Sequence, residues 1–116
     1  MSKRERTQPK PILFINKQAK KNFTDDIEPA RDAFSSELHD VIAYGLEPTI
    51  PHAPLPGKTT ELKKNGRPAY RCVYQILPDC ILIVHAFKKT TEHQDKKNLA
   101  TVDLRLKAID TKRFVS

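Results

Sequence analysis

The spacing of apolar residues changes along the chain, and each change predicts a different element. "PILFIN" (11–16) holds an unbroken apolar run of a length suited to a buried strand. From Ala19 the period lengthens. Ala19, Phe23 and Ile27 recur every fourth residue, which predicts a first short helix. The acidic residues and Pro29 of "TDDIEP" suit the first turn of a second helix. Ala30, Phe34, Leu38, Val41 and Ile42 then make one stripe at helical spacing, and Gly45 is expected as its C-terminal stop. The two segments read as a helical hairpin.

The second half alternates instead. "EPTIPHAPLPG" (47–57) has four prolines and a glycine in eleven residues and is expected to be a loop. "TTELKK" (59–64), "AYRCVYQIL" (69–77) and "CILIVHAF" (80–87) read as strands, separated by the turn signals "NGRP" (65–68) and "PD" (78–79). The last of the three is apolar on both faces, as a central strand should be. Together they predict an antiparallel three-strand meander. Thr91 followed by Gln94 fits a capping box at the start of a final helix. Leu99, Val102, Leu106 and Ile109 should lie on one face of that helix. The expected fold is α+β: N-terminal strand, helical hairpin, three-strand meander, C-terminal helix. Residues 1–10 form a basic arm, expected to be flexible, and 11–116 a single domain.

Alternation sorts the side chains within the meander. Arg71, Val73 and Gln75 fall on one face of their strand, opposite to Tyr70, Cys72, Tyr74 and Ile76. Leu62 belongs in the core, which sends Glu61 and Lys63 to the other face. Lys63 and Arg71 are therefore expected over one open surface. Lys88 and Lys89 would border it, between the end of a central strand and a helix N-terminus, where backbone N–H groups favour an anion. Each cation also has a plainer reading. Lys63 and Lys64 suit a solvated edge strand, Lys88 and Lys89 a charged turn, and His93 an exposed first turn. His85, within an apolar strand, reads as a satisfied core histidine.

Composition agrees with a site for anions. Across 116 residues, 21 Lys and Arg face 14 Asp and Glu, a net charge of +7. Such an excess favours phosphate-rich or acidic partners. The polar, basic start lacks the apolar core of a secretory signal, no run reaches the length of a membrane span, and a cytoplasmic location is expected. Cys72 and Cys80 have neither metal-site nor redox spacing. If the second turn centres on Pro78, Cys72 lies opposite residue 84, four residues from Cys80. That is about 13 Å along a strand, beyond the reach of about 7 Å between Cα atoms that a disulfide allows. Buried reduced thiols are expected.

"ELKKNGRPAYRCVYQI" (61–76) and "ILIVHAFKKTTEHQDKKNLATVDLRLKAI" (81–109) resemble the RelE/ParE superfamily of bacterial toxins, in its HigB-like, phage-derived branch. The "YR" of the hairpin and the strand ending "HAFKKT" are the most specific parts. The likeness covers the C-terminal half well and the rest in outline. It implies a RelE-like fold and a type II toxin that cuts mRNA in the ribosomal A site and inhibits translation. The partner implied is an antitoxin with a helix-turn-helix domain. The implied chemistry uses no metal or other cofactor: the 2′-hydroxyl attacks the adjacent phosphorus, leaving a cyclic phosphate and a 5′-hydroxyl. By position, Lys63 matches the base, Arg71 the transition-state arginine and Lys89 the cation that assists the leaving group. His93 could replace a tyrosine of the last helix. Glu61 stands where RelE itself has a basic residue. Lys64, Arg67 and Lys88 would bind the RNA backbone. The alternatives are a ParE-like poison of DNA gyrase on the same fold, and a non-catalytic basic module that binds RNA or an antitoxin.

Overall fold

A computed structural model of the chain describes residues 8–90 and 92–116. It is an α+β structure built on one five-stranded sheet, ordered β1-β5-β4-β3-β2. The expected meander is present as β3 (Thr59–Lys64), β4 (Ala69–Ile76) and β5 (Ile81–Lys89), each antiparallel to the next. β1 (Ile12–Phe14) lies parallel to β5, with Ile12 opposite Ile81. Residues 1–7 of the basic arm lie outside the described residues. Lys10 is tied down at both ends, its N–H donating to Ala43 O and its Nζ to Leu77 O.

The segment expected to be a loop contains a further strand, β2 (His52–Leu55), paired antiparallel to β3. Prolines hid it. Pro54 lies inside β2 and Pro51 and Pro56 flank it, a composition tolerated only at a sheet edge, where a missing N–H disturbs no second neighbour. β2 occupies that edge.

The helical period locates the buried residues apart from Val41, which is only partly buried, but not the helix ends. α1 (Lys17–Lys21) is capped by Asn16, whose side chain accepts from Ala19 N at 2.8 Å, and it runs into a π-helical turn at Asn22–Asp26. α2 (Glu28–Asp40) follows, with Pro29 in its first turn, where the absent N–H has no partner to lose. Ala19, Phe23, Ile27, Ala30, Phe34, Leu38 and Ile42 are all buried. α2 ends five residues before Gly45. Val41 leaves helical geometry, Ile42–Tyr44 form a 3-10 turn, and Gly45 (φ 86°) closes that turn by donating to Ile42 O. Glu37 anchors the following loop: its carboxylate accepts from Thr49 N at 2.6 Å and Thr49 Oγ1 at 2.7 Å.

The β4–β5 hairpin departs from the expected register. Cys72 faces Ala86, not residue 84. The turn spans four residues, with Leu77 N donating to Cys80 O, and β5 then bulges: Val73 pairs with His85 but Tyr74 with Ile83, leaving Val84 as the extra residue. Both cysteines are free and buried, as expected, and burial raises both thiols.

α3 (Glu92–Lys107) crosses one sheet face. Thr91, the expected N-cap, lies outside the described residues. The expected apolar face is only partly buried. Val102 is 4% exposed, Leu99 42%, and Ile109, beyond the helix end, 43%. The opposite sheet face, with Leu62, Cys72 and Ala86 in one row, belongs to the core that also holds the α1 and α2 stripe. Among the described residues no helix is long and apolar enough to cross a membrane.

Candidate functional site

Strand pairing assembles the site. Lys63 pairs with Arg71 and Arg71 with Phe87, so these three side chains share one row on the α3 side. Two residues away on the same face come Glu61 on β3 and Lys89 on β5. Leu55 of β2 and Asp95 and Leu99 of α3 complete a cavity of about 200 Å³ lined by Leu55, Glu61, Arg71, Phe87, Lys89, Asp95 and Leu99. Asp95 and Leu99 are one helical turn apart and so point the same way.

Four charged groups meet there. Arg71 is expected over an open surface but is buried, at 6% exposure. Its Nη1 donates to Tyr70 O at 3.0 Å and its Nε lies 3.8 Å from Glu61 Oε1. Roofing by α3 and the β2 edge strand accounts for the difference. Lys89 Nζ is 3.4 Å from Asp95 Oδ2, while Asp95 Oδ1 is buried and has no hydrogen-bond partner among the described residues. Burial raises Glu61 above its ordinary value of 4.5, against the pull of Arg71, Lys63 and Lys89 and with a smaller push from Asp95.

The other expected site residues divide between two faces. Lys63 belongs to the Arg71 row but stands at the rim, outside the cavity lining. Lys88 is the penultimate residue of β5 and faces Tyr70, as does Lys64, so this second row of cations points to the opposite side of the sheet from Lys89. Both lysines are exposed ends of strands rather than members of a turn. Arg67 is in the 65–68 turn, next to Pro68 in a cis peptide. His93 is exposed and two positions from Asp95, about 200° around the helix, and does not line the cavity.

Sequence alternation puts Glu61 on this face without giving it a role, and it missed Asp95 and Phe87. Asp95 sits four residues before Leu99, the first residue of the apolar stripe, and that spacing was the available signal.

His85 lies behind the cavity and couples its walls. Its ring stacks on Phe87 at 5.1 Å. Nε2 donates to Asn98 Oδ1 at 2.8 Å, and Nδ1 receives Arg105 Nη1 at 3.2 Å, with Asn22 Oδ1 also at 3.2 Å. Arg105 donates as well to Val84 O, at the bulge. Burial lowers His85 to about 4, with the Arg105 charge adding to the effect, while Asn98 and Asp26 oppose it. The imidazole is thus a neutral core group that joins β5 to α3, as the apolar setting of its strand suggested.

Comparison of the chain with protein-family models, with curated proteins and with solved structures finds no match.

Proposed function

We propose that the protein is a ribosome-dependent mRNA endoribonuclease of the RelE/HigB-like kind, the toxin of a toxin–antitoxin pair. The observation that carries this reading is the convergence of Arg71 and Lys89 in one roofed cavity, with Lys63 at its rim. Cleavage through a 2′-hydroxyl requires charge stabilisation on a pentacovalent phosphate and a proton for the leaving oxygen. A largely desolvated guanidinium acts on such charge more strongly than one in water. Lys89 lies at the end of β5 beside the first turn of α3, and in this reading it serves the leaving group. Lys64 and Lys88, on the opposite face of the same strand ends, and Arg67 in the adjoining turn would add positive charge for the RNA backbone. The RelE-like fold assignment is part of the same proposal; it draws on the meander and the C-terminal helix, and the fifth strand β2 is an addition to the expected pattern.

Induced expression without a partner tests the reading. Growth should stop with translation blocked, and mRNA 5′ ends should fall at fixed positions relative to the codon frame. An SOS response with intact mRNA would instead indicate gyrase poisoning. The ion pairs already made by Arg71 and Lys89 favour one further reading, a basic module that binds RNA without cutting it. Ribosome binding with uncut mRNA would decide for that.

A further inference from the structure

We infer that Glu61, rather than Lys63, is the group that takes the proton from the attacking 2′-hydroxyl. The inference rests on the nuclease reading above and concerns the same cavity. Geometry separates the two candidates. Glu61 lines the cavity, its side chain 14% exposed and its Oε1 3.8 Å from the buried Arg71 guanidinium. Lys63 does not line it. A lysine becomes a base only after surrendering its proton, which takes burial or a crowd of cations. Lys63 is half-exposed and has Glu61 two residues away on the same face. A carboxylate needs no such preparation. It is already a base, and a shift toward neutrality improves it so long as it remains ionised at the working pH.

The surroundings of Glu61 supply that shift. Burial raises its proton affinity, Asp95 on α3 adds to this, and Arg71 on β4, Lys63 on β3 and Lys89 on β5 oppose it. With a phosphodiester in the cavity, Arg71 and Lys89 face its non-bridging oxygens. The 2′-hydroxyl proton passes to a Glu61 oxygen as the O2′–P bond forms. The P–O5′ bond breaks with its electron pair going to O5′, which takes a proton from the Lys89 ammonium. Products are a 2′,3′-cyclic phosphate and a 5′-hydroxyl. Glu61 has gained one proton and Lys89 lost one, and exchange with water restores both.

The test is single-turnover cleavage of a defined mRNA on purified ribosomes with an open A site, measured from about pH 5 to pH 9. Wild type should show an acidic limb with its midpoint above 4.5, the ordinary value of the carboxyl. Glu61→Gln should lose roughly 10²-fold or more in rate, and the limb with it. Lys63→Ala and Asp95→Asn should keep the limb. Glu61→Asp retains the charge beside Arg71 and carries the test should the amide fail to fold: its rate should fall and its limb midpoint should move. A Glu61→Gln protein that cuts at the wild-type rate or keeps the limb overturns the assignment, as does a limb lost in Lys63→Ala or unmoved in Glu61→Asp. Wild type that binds these ribosomes without cutting overturns the nuclease reading itself, and this inference with it.

Discussion

Acid should destabilise this protein through His85 before it titrates the bulk of the carboxylates. The imidazole is 6% exposed and held near pKa 4, against 6.5 when free. A folded state that refuses a proton the unfolded chain accepts loses stability as pH falls. The contribution is intact above about 6.5, declines below it, and is gone at about 4. A tenfold difference in proton affinity between folded and unfolded chains is worth about 1.4 kcal/mol, so the limiting loss is about 3 kcal/mol. Between about pH 7.5 and pH 5 the same linkage gives a loss of about 2 kcal/mol.

Urea titrations followed by far-UV circular dichroism measure it. With a slope of about 1.5 kcal/mol per molar, within the usual range, the midpoint should drop by about 1.3 M across that interval. Other groups titrate there too. Glu61, raised by burial, acts with the opposite sign, because its folded form binds a proton more readily than its unfolded form. His85→Gln isolates the imidazole. The variant should be weaker near neutrality, having lost the bonds to Asn98 and Arg105, but its midpoint should fall much less between about pH 6.5 and pH 4.5 than that of wild type. Parallel curves for the two proteins would show that His85 is not the group responsible.

Three further outcomes follow from the cavity and its supports. Arg71→Ala should cut cleavage by about 10²–10³-fold, and it should also lower stability by about 1–3 kcal/mol in the same urea assay, because it strands Glu61 half-buried without its partner. Lys88→Ala should weaken ribosome binding and flatten its salt dependence, whereas Lys89→Ala should slow the cut on bound substrate in single turnover; equal wild-type behaviour of both across a salt series would remove this strand end from the site. Gly57→Ala should cost about 1–3 kcal/mol by thermal or urea denaturation, since Gly57 has φ 82° and an added Cβ would meet Leu106 Cδ1 at 3.0 Å.

The parts of the fold legible in the sequence are those where a single period governs the burial of side chains. The two-residue repeat of β3 and β4 assigns their faces, and their pairing puts Lys63 beside Arg71 as alternation and a short turn require, although β4 is buried on both faces from Tyr70 to Tyr74. The α1 and α2 stripe is legible for the same reason, although the π-helical turn and the early end of α2 leave no mark on a four-residue spacing. β2 could not be read, because proline content signals a loop and only the tertiary position at an edge makes it a strand. Nor could the burial of Arg71 be foreseen. α3 has a thin apolar face with just one fully buried residue, Val102, among those described, and nothing in such a stripe fixes which part of the sheet it will roof.

The least legible feature is also the one that composes the site. A tight turn at Pro78 would have brought His85 opposite Arg71. The four-residue turn and the extra residue at Val84 instead advance β5 by two positions in this region, so Phe87 lies beside Arg71 and Lys89 beside Ala69. A shift of two preserves the face of every side chain while changing its neighbour. His85 therefore stays on the α3 side but moves away from the Arg71 charge, deep enough to be held neutral by burial, with Asn98 and Arg105 fixing its ring. Lys89 moves to the cavity mouth, where Asp95 meets it. Arg105 donates to the Val84 carbonyl as well as to His85, so α3 grips the bulge itself. The helix that roofs the cavity is thus fastened to the bulge that sets which β5 residues line it, and loosening either should open both.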